Sequence, residues 1–224
     1  MNKAKVSTIL KCENLLGESC FWDPRYNCLV WTDIEGKKAW MLDDNNQSFT
    51  FNLPDRAGFI LPRKREGFII GFPNFIAISD KNFSSFEKIC EVEITNNQTR
   101  INDAKVDPYG GIVFGTYNED PDKAKRKPIA NLYRLAPNLS LTHLLSNITV
   151  SNGIAFSENE NIMYFADTPT GRIQKFEYTK NFNKLYELET NMIFKNVGEP
   201  DGATVDIDNN YWSARVRGKC IICI

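Results

Sequence analysis

The chain has 224 residues, with 27 basic and 28 acidic side chains and a formal net charge of −1. That balance excludes the electrostatic footprint of a nucleic-acid-binding or membrane-surface protein. Apolar residues make up 42% and charged residues 25%, a globular composition, and no apolar run approaches the roughly 18 residues of a membrane-spanning helix.

Taken in chain order, Met1-Asn2-Lys3-Ala4-Lys5-Val6 has no apolar export segment, which predicts a cytoplasmic protein with reduced thiols. The cysteines at 12, 20, 28, 90, 220 and 223 then read as small core or strand residues. Cys220-x-x-Cys223 reads as a chance pair in a terminal strand, because no second pair follows. Short apolar runs rich in β-branched and aromatic residues predict strands at Cys28-Leu29-Val30-Trp31, Gly67-Phe68-Ile69-Ile70, Ile112-Val113-Phe114, Ile162-Met163-Tyr164-Phe165 and Tyr211-Trp212. Turn signals such as Asp107-Pro108-Tyr109-Gly110-Gly111 and Asp208-Asn209-Asn210 separate them. No segment has helical periodicity, so the class is all-β. His143, the single histidine, falls in the alternating strand Leu141–Leu145 and reads as structural or surface.

One unit recurs: an apolar anchor, a polar turn, then an apolar strand. The anchors Trp22, Leu61, Val106, Phe156 and Val205 are spaced by 39, 45, 50 and 49 residues. Repeats of this length, each worth four short strands, are the signature of propeller blades. Five units are visible, and the fifth stops after two strands. Val6-Ser7-Thr8-Ile9-Leu10 is the candidate strand to close the ring.

Four residues before each anchor stand Glu18, Asn102, Asn152 and Asp201; the second unit has Ala57 there. A fixed offset on the innermost strand of each blade brings these side chains around one axis. Two carboxylates and two amides form an oxygen-only donor set, which suits Ca²⁺, Mg²⁺ or Mn²⁺, with Zn²⁺ less favoured.

Four signatures in series resemble the regucalcin/gluconolactonase (senescence marker protein type) family. They are Leu16-Gly17-Glu18-Ser19-Cys20-Phe21-Trp22-Asp23, Arg100-Ile101-Asn102-Asp103-Ala104-Lys105-Val106-Asp107-Pro108, Ser151-Asn152-Gly153-Ile154-Ala155-Phe156-Ser157 and Pro200-Asp201-Gly202-Ala203-Thr204-Val205-Asp206. The resemblance implies a six-bladed propeller with one divalent metal ion in its channel and hydrolysis of sugar lactones. Six blades need about 290 residues, so this chain is expected to form a single incomplete propeller over 1–224, lacking about the last blade and a half. By the same resemblance Glu18, Asn152 and Asp201 match the metal ligands, and Asp201 the acid/base. Arg100 and Asn102 match substrate-binding positions, as does the pair Glu119-Asp120, where Asp120 replaces a longer glutamate of some members.

The expected chemistry is Lewis-acid polarisation of the lactone carbonyl with Asp201 shuttling the proton. The rival reading is a non-catalytic divalent-metal- or calcium-binding propeller, or an inactive shortened member. Neither nucleic acid nor membrane is an expected partner. The basic loop Lys123-Ala124-Lys125-Arg126-Lys127 reads as a solvated connection, with a lid over the channel mouth as the sharper alternative. The apolar terminal strand Lys219–Ile224 predicts self-association through an exposed edge.

Overall fold

In a computed structural model, the described residues are 7–224 apart from 158, 160, 180, 181, 183, 184 and 195. They form five antiparallel sheets arranged in chain order. The first blade holds β1 (Gly17–Asp23), β2 (Cys28–Asp33), β3 (Lys38–Asp43) and β4 (Ser48–Asn52); the second β5 (Phe59–Pro62), β6 (Phe68–Phe72), β7 (Phe75–Ser79) and β8 (Phe86–Glu91). The third holds β9 (Thr99–Val106), β10 (Ile112–Asn118), β11 (Ala130–Leu135) and β12 (Leu141–Ile148); the fourth β13 (Ser151–Ser157), β14 (Ile162–Asp167), β15 (Arg172–Tyr178) and β16 (Leu185–Ile193). The fifth has three strands, β17 (Glu199–Val205), β18 (Tyr211–Val216) and β19 (Cys220–Cys223). Among the described residues, helical geometry is confined to two short 3₁₀ turns, Lys123–Lys125 and Thr168–Thr170.

The all-β propeller is therefore as expected, but it has five blades, not six. Each of the five anchors lies on the first strand of its own sheet. The fifth unit also holds one strand more than expected, because Cys220–Cys223 turns back and pairs with β18. The proposed closing strand does not form: Ser7–Leu10 has no strand pairing, and Val6 lies outside the described residues.

The core is a series of packed interfaces between blades. Val30 and Ala39 of the first blade bury against Phe68, Ile70 and Phe72 of the second. Phe59 and Ile76 meet Ile101, Ile112 and Phe114 of the third. Val113 and Leu132 meet Met163, Phe165 and Phe176 of the fourth. Tyr164 and Ile173 meet Tyr211 of the fifth. Burying both faces of each sheet this way is the main hydrophobic contribution to the fold. The first and fifth blades instead border a cleft of about 650 Å³, lined by Leu29, Leu42, Trp212 and Ile221 among others.

The anchors do not all face the core, since Trp22 is 51% and Val106 38% exposed. Blade turns are braced by buried carboxylates. Asp107 accepts main-chain N–H groups of Tyr109 and Gly111 and pairs with Arg134 at 2.6 Å. Asp23 plays the same part with Arg25 at 2.5 Å.

Candidate active site

The register of the inner strands explains how the polar side chains are aimed. In four of five blades the ladder between the first and second strand slips. Ser19-Cys20 stand opposite Trp31, Asn102-Asp103 opposite Gly115, Gly153-Ile154 opposite Phe165, and Asp201-Gly202 opposite Ala214. Two residues opposing one is a β-bulge, which bends the strand and redirects its side chains. Glu18 and Asn152 come immediately before their bulges, and Asn102 and Asp201 begin theirs. The second blade pairs without a slip, and it is the blade that offers Ala57.

The backbone of these bulges is tight. Gly153 has φ +66°, and a Cβ there would lie 2.6 Å from the Tyr211 hydroxyl, which donates to the Gly153 carbonyl at 2.9 Å. Glycine is required at this close approach. On the first blade, the Asp33 carboxylate accepts the N–H groups of Leu15 and Leu16 and fixes the approach to Glu18.

Glu18, Asp103 and Asp201 border the cleft between the first and fifth blades, with Lys105 on the same wall. Burial, then the like charges of Asp201 and Asp103, push Glu18 from 4.5 to about 8, against a smaller opposing pull from Arg100. Burial likewise raises Asp103 to about 6, although the Ile154 N–H and Lys105 stabilise its charge. Burial also raises Asp201, partly offset by the Gly202 N–H. Such crowding of acids is the electrostatic environment that a cation relieves.

The amides are oriented by a chain of hydrogen bonds across blades. Asn152 donates through Nδ2 to Thr168 Oγ1 at 2.9 Å, and Thr168 donates to the Pro200 carbonyl at 2.9 Å. This directs Asn152 Oδ1 away from Thr168, and among the described residues its one side-chain donor is the distant Asn102 amide. Asn102 Nδ2 donates to the Ser151 carbonyl at 3.0 Å and approaches Asn152 Oδ1 at 3.4 Å. Arg100 is 3% exposed, and its NH1 donates to the Ile101 carbonyl and to Asn102 Oδ1.

Glu18, Asn102, Asn152, Asp201 and Arg100 are thus brought together by direct contact, charge or a shared cavity. Glu119 touches this cluster through Arg100, its Oε1 standing 3.3 Å from Arg100 Nε, whereas Asp120 is turned to its own loop. Glu119 also accepts a two-bond fork from Arg56. Asp120 Oδ1 accepts the Asp122 N–H and shapes the following turn. The basic loop turns back over Tyr117: Arg126 lies 5.3 Å above its ring and donates to the Asp120 carbonyl. His143 is exposed and bonded to Ser146. All six cysteines are free; five lie in strands and Cys28 alone is buried, in line with the reading as core or strand residues.

Sequence reasoning missed Asp103 as a member of the acid cluster, and it missed Arg56 and Lys105. Asp103 carried a signal, since it is the acidic partner in the Asn102-Asp103 bulge. Arg56 carried none, because its partner is 63 residues away.

Oxygen donors suit a divalent cation. Among the described residues no three carboxylate, histidine or cysteine side chains make a ligand group by themselves. The fit therefore depends on Asn152 Oδ1 completing the two carboxylates of Glu18 and Asp201, and its Nδ2–Thr168 bond turns that oxygen the right way.

Residues 16–224 match the SMP-30/Gluconolactonase/LRE-like region. The chain belongs to this family. Within it, the chain is similar to regucalcin of Danio rerio, 29% identical over 233 residues that cover 100% of this chain and 76% of that protein. It is similar to L-arabinolactonase of Azospirillum brasilense, 30% identical over 212 residues covering 93% and 70% respectively. Among solved structures, luciferin-regenerating enzyme superposes with a TM-score of 0.87 at 26% identity, covering 94% of this chain and 72% of that one. Like these family members, the chain is a β-propeller, and among its described residues no helix is long and apolar enough to cross a membrane.

Proposed function

We propose that this SMP-30/gluconolactonase family member is a metal-dependent hydrolase of sugar lactones, acting as one propeller domain over residues 1–224. The observation that carries the reading is the convergence of Glu18, Asp103 and Asp201 on one cavity beside an oriented Asn152 amide. Glu18, Asn152 and Asp201 would hold the ion. When bound, a divalent cation polarises the lactone carbonyl and acidifies nearby water. The ion is Ca²⁺, Mg²⁺, Mn²⁺ or Zn²⁺.

The side chains divide the remaining work. Asp201, whose burial raises its proton affinity, takes a proton from the attacking water and returns one to the leaving alkoxide. Arg100 and Asn102 hold hydroxyl or carbonyl oxygens of the substrate, the planar guanidinium fixing their direction. Asp103 stays anchored to the Ile154 N–H and adds negative charge behind the ion. Lactonase names among the relatives support this class, and six unpaired thiols support a reducing cytoplasmic setting. Self-association would run through the edge of the terminal strand Cys220–Cys223, read by size-exclusion chromatography.

The deciding experiment is hydrolysis of an aldonolactone series with and without added divalent ion, then with chelator. Turnover that appears with metal and disappears with chelator supports the proposal. Metal binding with no turnover on any lactone would instead establish a metal-binding propeller.

A further inference from the structure

Arg56 lies on the loop joining β4 to β5, outside every inner strand. Its NH1 and NH2 donate to Oε1 and Oε2 of Glu119 at 2.7 and 3.0 Å, a bidentate fork between neighbouring blades. Glu35, on the β2–β3 turn, approaches the same NH1 at 3.6 Å. Glu119 Oε1 also stands 3.3 Å from Arg100 Nε and receives the Tyr117 hydroxyl at 3.4 Å. The Arg100 contact is an ion pair only. Its Nε is buried and makes no hydrogen bond, while its guanidinium lies 4.5 Å above the Tyr117 ring. One carboxylate is therefore shared unequally by two arginines: Arg56 takes both oxygens, and Arg100 is left beside one.

A buried N–H without an acceptor is costly, so Glu119 has a competing arrangement available. If it turned to give Arg100 its own two-bond fork, the orphaned Nε would be satisfied. The guanidinium would then be drawn away from Asn102. Arg56 prevents this by occupying the carboxylate.

We propose that Arg56 is a positioning residue that, by holding both oxygens of Glu119, keeps the Arg100 guanidinium on Asn102. The proposal rests on the reading of Arg100 as a substrate contact. It assigns Glu119 to the arginine pair instead of to the substrate. Lysine cannot replace Arg56 fully, because a point charge holds one oxygen where the guanidinium fork holds two.

The test uses the 224-residue protein, D-glucono-1,5-lactone with saturating Mn²⁺, and the variants Arg56→Met, Arg56→Lys, Glu119→Gln and Arg56→Met/Glu119→Gln. Arg56→Met is expected to raise KM about tenfold with kcat changed less than about threefold, the mark of lost ground-state positioning. Arg56→Lys should fall between. The double variant should recover KM to within about threefold of Glu119→Gln alone, since the amide no longer competes for Arg100. Loss of blade packing alone would give additive defects and no recovery, which would overturn the proposal. A second readout needs no turnover: the ¹⁵Nε–¹Hε NMR signal of Arg100 should move in Arg56→Met and move back in the double variant. An unmoved signal in Arg56→Met would also overturn it. A wild type that hydrolyses no lactone would refute the functional reading, and the NMR signal would still decide the role of Arg56.

Discussion

The carboxylate of Asp103 accepts the main-chain N–H of Ile154 at 3.1 Å, tying the bulge of the third blade to that of the fourth. Asn102 makes a parallel tie to the Ser151 carbonyl. These two links hold the candidate ligand Asn152 from the side of the neighbouring blade. The site is thus braced across blades as well as along its strands.

Asp201→Asn separates the two roles given to this residue. The amide keeps an oxygen toward the ion but accepts no proton. Metal affinity should fall modestly while kcat drops by about 10²–10⁴-fold and the melting temperature holds. Calorimetric metal titration beside steady-state kinetics measures both. Wild-type turnover in Asp201→Asn would remove it as the acid/base.

The metal-free protein should lose stability as pH rises. Glu18 has a folded-state value of about 8 against 4.5 for the free side chain, so between these values the folded state binds more protons than the unfolded one. Stability from this group is full below about 4.5 and declines until about 8. Asp103 acts in the same direction over a window ending near 6. A saturating divalent cation should flatten the slope. Urea melts from pH 5 to 8, with and without the cation, test this; a metal-free protein that gains stability over that range would contradict it.

Gly153→Ala should disturb both fold and site. The residue has φ +66°, and its new methyl would press on the Tyr211 hydroxyl. We expect a loss of about 1–3 kcal/mol, with weaker metal binding because the bulge sets Asn152. Chemical denaturation gives the first number and metal titration the second.

Asp107→Ala should be more costly and should leave the chemistry alone. It strands the nearly buried Arg134 guanidinium and frees the N–H groups of Tyr109 and Gly111. Breaking a buried pair on one side costs about 3–5 kcal/mol. Replacing both partners with apolar residues should recover part of the loss, read by thermal melting.

Much of this architecture is local and therefore legible in the chain. Alternating β-branched and aromatic residues specify strands, Asp107-Pro108-Tyr109-Gly110-Gly111 and Asp208-Asn209-Asn210 specify turns, and repetition at 39–50 residues specifies blades. The offset of Glu18, Asn102, Asn152 and Asp201 from their anchors was equally visible, because each falls at or just before a bulge on the first strand of its blade. The five anchors already named the five sheets, and the fifth sheet holds three strands.

The tertiary structure decided what depends on contacts between blades. The 41-residue separation of Ser19 from Ile60, the 51 of Asp103 from Ile154 and the 63 of Arg56 from Glu119 leave no periodic trace. It shared Glu119 between Arg56 and Arg100, set Asp120 in a turn, and drew Asp103 into the acid cluster. It also set the first and fifth blades across an apolar cleft in place of a closing strand. The physical reason is the same in each case: backbone preference acts within a few residues, whereas desolvation and charge act through space.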